Sequence, residues 1–180
     1  MKEKFLENAR HEYSEKQRAG ALLILAPLFL GIIPYGIITL GAWLDQRLQW
    51  LPIVLMPVNL ILGCLVIGAG LLFGWWSVYI QLTLGRGTPV PLMATQKLIV
   101  KPPYSYCRNP MALGAIVAYL GVAVLVGSIG ALALVLLAAA CLLVYIKTLE
   151  EKEMEMRFGQ DYLEYRQRTP FLLPRFRNKG

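Results

Sequence analysis

Three uncharged stretches constrain this chain more than any other feature. No Asp, Glu, Lys or Arg occurs in residues 19–44, 50–85 or 109–146. A helix needs about 20 apolar residues to cross the hydrocarbon core of a bilayer. In that medium, backbone amides and carbonyls must find partners within the protein, which favours helices. The first stretch predicts one span. The second predicts one long or tilted span over Pro57–Leu84, with Leu51–Met56 leading in. The third has 38 residues, enough for two spans, and Gly127-Ser128-Ile129-Gly130 interrupts it as a tight turn. It reads as a helical hairpin, Asn109–Val126 and Gly130–Ile146, whose second arm continues outside the membrane over Lys147–Phe158. The expected fold class is all-α: a polytopic transmembrane helical bundle of about four spans, the last two a hairpin.

Composition points the same way. Hydrophobic residues make up 57% of the chain and charged residues 16%, against roughly 25% charged in soluble domains. This excludes an ordinary soluble domain, a disordered chain and a disulfide-stapled secreted module. Cys64, Cys107 and Cys141 form no CxxC pair and no even framework, so reduced thiols are expected and no metal ligands. The lone His11, in a charged stretch, reads as a solvated surface residue. The net charge of +7 does not predict nucleic-acid binding. The basic residues flank apolar runs, where they meet anionic headgroups.

Charge asymmetry orients the spans. Lys2, Lys4, Arg10, Lys16 and Arg18 precede the first span, while the first connection carries only Arg47. The second connection carries Arg86, Lys97, Lys101 and Arg108 with no acid, and the C-terminal tail is basic from Lys147 to Lys179. Positive-inside bias places both termini and the Gly85–Arg108 segment in the cytosol. Residues 1–18 read as a short surface helix, 19–84 as the first two spans, and 85–180 as a third region holding the hairpin and tail. No signal peptide is expected, because about 18 largely polar residues precede a first apolar run too long for a signal core.

Inside the spans the features read as structural. Gly70-Leu71-Leu72-Phe73-Gly74 allows close helix approach, more simply within the chain than across a dimer, so a monomer or weak homodimer is expected. Pro27 and Pro34 should kink the first helix. Trp43, Trp50, Trp75 and Trp76 suit interfacial anchoring, with packing inside the bundle the alternative for Trp75 and Trp76, and Asn59 suits a helix–helix hydrogen bond. Proton relays and ion pathways place ionisable residues within spans; here none is predicted there, which argues against an ion-coupled transporter. Chemistry falls to the connection ahead of the hairpin and to the end of its returning arm.

The connection carries Gly85-Arg86-Gly87, then Pro102-Pro103-Tyr104-Ser105-Tyr106-Cys107-Arg108-Asn109-Pro110. Its prolines oppose a long regular helix. Asn109-Pro110 reads as a helix start, leaving amide donors that suit a carboxylate, with Arg108 beside them. On the returning arm, Glu150 and Glu151 end the apolar run. Their carboxylates suit a cationic centre, ribose hydroxyls or a neighbouring Arg. Gly159 reads as a helix C-cap, Tyr162 and Tyr165 share a helix face, and Glu153–Arg157 is an ordinary i,i+4 pair.

Together these elements resemble the integral-membrane methyltransferases related to isoprenylcysteine carboxyl methyltransferase and phospholipid N-methyltransferase. The likeness runs from Gly85 to Phe176. It comprises the glycine element, the Pro-Tyr-x-Tyr-x-Arg-Asn-Pro element ending at Gly114, the apolar hairpin, and Glu150-Glu151 through Phe158-Gly159, Tyr162 and Tyr165 to Thr169-Pro170 and Pro174. Pro102, Ala112 and Met154 depart from the usual Gly, Tyr and Leu.

The resemblance implies S-adenosylmethionine in a cytosol-facing pocket closed by the C-terminal tail. It implies cofactor contacts from Gly85, Gly87, Tyr104, Tyr106, Arg108, Asn109, Pro110, Gly114, Glu150 and Glu151. Arg108 and Glu150 are the candidate catalytic residues, and Tyr162, Tyr165 and Arg166 the candidate substrate contacts. The expected acceptor is lipid-like and enters from the bilayer: an isoprenylcysteine-type carboxylate, a lipid amine or a thiol. Two other readings stand beside this one, an NADPH-dependent membrane reductase of the sterol-reductase type and a non-enzymatic scaffold.

Overall fold

A computed structural model describes residues 14–53, 55–85 and 97–175. The expected surface helix over residues 1–18 falls mostly outside them, and so does Gly87. Six α-helices carry the described chain: α1 Glu15–Pro27, α2 Ile33–Leu48, α3 Val58–Leu84, α4 Pro110–Val126, α5 Ile129–Tyr145 and α6 Glu151–Arg168. Two π-helical turns, Leu28–Ile32 and Ile146–Glu150, join α1 to α2 and α5 to α6. No strand occurs among the described residues.

Three continuous helical stretches are long and apolar enough to cross a membrane: Gly20–Leu48, Val58–Leu84 and Ile129–Arg168. The fourth expected span, α4, is shorter, with 17 residues. At 1.5 Å rise per residue it reaches about 25 Å, the low end for a spanning helix. Bulky apolar side chains face outward along these helices, with Leu23 76% and Leu72 74% exposed. A soluble surface would not carry so many, whereas lipid covers them without cost. The chain is a helical membrane bundle.

The described residues fall into two compact units. One draws on Ile24–Leu72 and Gly114–Val144; the other draws on the described parts of Met1–Leu23, Phe73–Leu113 and Tyr145–Gly180. In the first unit, the consequence of Pro34 is resolved in full. Ile33 N–H reaches back five residues to the Leu28 carbonyl, as in a π turn. The Phe29 carbonyl would then pair with the N–H of residue 34, which proline lacks. The Tyr119 hydroxyl on α4 donates to Phe29 O at 3.0 Å and fills the gap. The expected kink is thus a widened turn, held by a partner from another helix.

Asn59 acts as expected and does more. Its Nδ2 donates to the Val124 carbonyl of α4 at 3.0 Å and to Ile53 O at 2.7 Å, while its Oδ1 accepts from Leu55 N–H at 2.9 Å. Gly70 of the GxxxG sequence packs directly on the α4 backbone at Gly114 and Ala118, where an added Cβ would collide with main-chain atoms. The small residue is used within the chain. Asp45 caps α5, its Oδ1 accepting from Gly130 N–H at 2.7 Å.

Candidate functional site

The second unit gathers the sequence elements singled out for chemistry. α3 ends at Leu84, and Gly85 N–H closes that end on Gln81 O at 3.0 Å. Gln81 is a second amide on this helix, buried, and its Oε1 accepts from the Tyr104 hydroxyl at 2.9 Å. The Tyr104 carbonyl in turn accepts from the Tyr165 hydroxyl at 2.6 Å. One chain of bonds therefore joins the end of α3, the loop ahead of α4 and the second half of α6. Burial raises the pKa of both tyrosines, so both remain neutral donors. Cys107 is fully buried beside them; burial pushes its thiol up to about 11, and it is a free cysteine, as expected.

The charged centre forms where the second π turn ends. Glu151 N–H bonds to Ile146 O, five residues back. Glu151 forms an ion pair with Arg108 through Oε1, and its Oε2 lies 2.9 Å from Lys147 Nζ. The Arg108 and Glu151 side chains are only 8% and 5% exposed. Charges at this depth persist only when paired. The pairing leaves a remainder: Arg108 Nε is buried without a hydrogen-bond partner among the described residues. A buried donor of this kind calls for an explanation, and an incoming acceptor is one that suits it.

Glu150, the preceding residue, behaves differently. Successive helix positions point about 100° apart, so it does not share the direction of Glu151. No ion pair or hydrogen bond engages its side chain among the described residues. Burial first, and then the neighbouring Glu153, raise its pKa above the ordinary carboxylate value. Glu153 itself pairs with Arg157 at 3.5 Å, the expected i,i+4 contact. Glu150 is thus a partly desolvated carboxylate without a cation, next in the chain to a buried carboxylate that has two.

The tail closes over this centre as a strap, Thr169–Arg175. Arg108 N–H donates to Pro170 O at 2.9 Å, Asn109 Nδ2 to Phe171 O at 2.9 Å, and Arg175 N–H to Tyr106 O at 3.0 Å. The Phe171 ring lies 5.6 Å from the Arg108 guanidinium and 5.2 Å from Lys147 Nζ. Arg108 N–H and the Asn109 side-chain amide, both at the start of α4, are therefore engaged by the strap. Asn109 begins the helix through its carbonyl, which accepts from Leu113 N–H at 3.0 Å, while its side-chain amide holds the strap.

Most residues singled out from the sequence converge here. Gly85, Tyr104, Tyr106, Arg108, Asn109, Pro110, Glu150, Glu151, Tyr162, Tyr165 and Arg166 all belong to this unit, and Gly114 belongs to the other. Tyr162 and Tyr165 are both buried, with ring centroids 6.2 Å apart. Tyr106 meets Trp76 edge-on at 6.2 Å. Arg166 lies outside the buried cluster, paired with Glu155 at 3.0 Å. Gly159 breaks α6 at φ +54°, ψ −126°, a conformation reserved for glycine, and so turns the tyrosine-bearing half inward.

Three participants are not among the residues singled out from the sequence: Gln81, Lys147 and Phe171. An amide near the end of an apolar helix and a lysine four residues before a glutamate were signals for the first two; Phe171 gave none.

The sequence matches the family model described as phospholipid methyltransferase over residues 58–161. The match covers α3, the loop, the hairpin and both glutamates, and it stops short of Tyr162 and the strap. Among curated proteins, no match is found.

Proposed function

This chain belongs to the phospholipid methyltransferase family, and on that premise we propose that it transfers a methyl group from S-adenosylmethionine to a lipophilic acceptor in the membrane. Membership makes it a membrane methyltransferase. The observation that supports the cofactor is the division between the two glutamates. Glu151 is neutralised by Arg108 and Lys147. Among the described residues, Glu150 lacks a counter-ion and Arg108 Nε lacks an acceptor. An orphan carboxylate and an orphan donor in one neighbourhood suit a ligand bearing both a cation and a carboxylate.

When bound, S-adenosylmethionine supplies an electrophilic methyl on a sulfonium with a neutral thioether as leaving group. The chain's own part is alignment and exclusion of water. Arg108 would hold the ligand's carboxylate through Nε, and Glu150 would attract its positive charge. The strap, latched at Tyr106, Arg108 and Asn109, keeps bulk water out. For an amine acceptor, Glu150 also takes the proton released once nitrogen has gained the methyl; a carboxylate or thiolate acceptor needs no base. The acceptor arrives through the bilayer, since the helices present apolar side chains to it, Trp75 and Tyr79 among them. The basic flanks favour a cytosolic position for this site.

The test uses the full chain in detergent. Calorimetry is expected to find micromolar S-adenosylmethionine binding, and incubation with a lipid extract is expected to move labelled methyl into the organic phase. NADPH binding without S-adenosylmethionine binding would overturn the proposal in favour of the reductase reading, and binding of neither would favour the scaffold.

A further inference from the structure

Phe171 lies beyond the residues matched by the family, 58–161, yet it touches both cations of the charged centre. Arg108 and Lys147 each take one oxygen of Glu151, and each also lies within cation–π range of the Phe171 ring. Two positive groups converging on one carboxylate repel one another. An aromatic face offsets this repulsion, because its quadrupole presents negative potential to both. The backbone fixes the ring in place. The Phe171 carbonyl is held by Asn109 Nδ2 and the Pro170 carbonyl by Arg108 N–H. The residue that needs orienting, Arg108, thus binds the strap through its amide and faces the strap's ring with its guanidinium.

We propose that Phe171 is a positioning residue: its π face fixes the Arg108 guanidinium on Glu151, so that Nε stays available to the ligand, and the aromatic character of residue 171 thereby sets cofactor affinity. This rests on the cofactor reading above. Lys147, 58% exposed at its side chain, would otherwise swing into solvent, and the guanidinium would lose its fixed plane. A leucine of similar bulk would fill the space and leave both cations without a face to rest on.

The test is direct binding of S-adenosylmethionine and of its demethylated product, measured by calorimetry on the full chain in detergent. Phe171→Leu is expected to weaken binding roughly tenfold, a cation–π contribution of ordinary size. Phe171→Tyr is expected to stay within about twofold of wild type. Turnover at saturating cofactor is expected to change far less than KM for the cofactor. If Phe171→Leu does not fold, stepwise fluorination of the ring at position 171 alters the quadrupole at nearly constant volume, and affinity should fall with each fluorine. Wild-type affinity in Phe171→Leu, equal losses in the Leu and Tyr variants, or indifference to fluorination would overturn the proposal while wild-type binding stands. Wild-type protein that binds no cofactor would overturn the cofactor reading itself, and this inference with it.

Discussion

The Tyr165 hydroxyl donates to the backbone carbonyl of Tyr104 across 2.6 Å. Tyr104 passes the connection on, its own hydroxyl donating to Gln81 Oε1 at 2.9 Å. Tyr165, which sequence reasoning assigns to the substrate, is therefore a strut between α6 and the loop that presents Arg108. Tyr165→Phe leaves a buried carbonyl without this donor. A loss of about 1–3 kcal/mol in unfolding free energy is expected, read by denaturant titration in detergent. Methyl transfer should weaken alongside, because the loop loses its anchor. An unchanged midpoint would show that the bond does not hold the loop.

The two glutamates should respond oppositely to amide substitution. Glu151→Gln leaves Arg108 buried without its counter-ion, and breaking a buried pair in this way costs about 3–5 kcal/mol. Glu150→Gln removes a partly desolvated carboxylate that has no partner among the described residues, so the fold should be as stable or more so. Cofactor affinity should nevertheless fall. Thermal melts paired with calorimetry check both, and equal destabilisation by the two variants would contradict the division of roles.

The pH dependence of Glu150 carries two signs. Its folded pKa lies above the ordinary glutamate value, with burial the main cause and Glu153 the second. The unfolded chain therefore loses this proton at lower pH than the folded chain. Across that interval the folded state holds more protons, so this residue's contribution to stability falls as pH rises. Cofactor affinity moves the other way. It needs the carboxylate, so it should weaken as pH drops through the raised pKa. Glu150→Gln should flatten both profiles, and a binding profile left unchanged by the substitution would exclude Glu150 from the cofactor's cation.

Tyr119→Phe should destabilise the first unit alone. It removes the only donor among the described residues that the structure offers to Phe29 O after Pro34 takes its own N–H away. Interhelical hydrogen bonds in membranes contribute about 0.6–1.7 kcal/mol, and the loss should fall there. Pro34→Ala in the same background should recover much of it by restoring a backbone donor. Unfolding in mixed micelles of the single and double variants forms the necessary cycle.

The sequence alone made much of the fold legible. Uncharged runs located the spans, Gly127-Ser128 the hairpin turn, and Asn109-Pro110 the start of α4. These features follow from hydrophobic transfer and backbone hydrogen bonding, which depend on local chain composition. The candidate cluster was legible as a list of residues: Arg108, Glu151, Tyr104, Tyr162 and Tyr165 stand out in the sequence and share one unit of the fold. Their partners were less visible. Gln81 and Phe171 look like ordinary residues of an apolar helix and a tail until the fold sets them against Tyr104 and Arg108.

The sequence by itself determined that this chain enters a membrane as helices and carries a paired acid, an arginine and a tyrosine set at two separate places. Only the tertiary structure decided which acid is neutralised. The π turn over Ile146–Glu150 inserts one extra residue into the helix, and that rotation gives Glu151 both cations and leaves Glu150 with none among the described residues. Composition sets where apolar surface is buried. The direction of a single carboxylate depends on helix phase and on what the opposing segment presents, and those are properties of the packed chain.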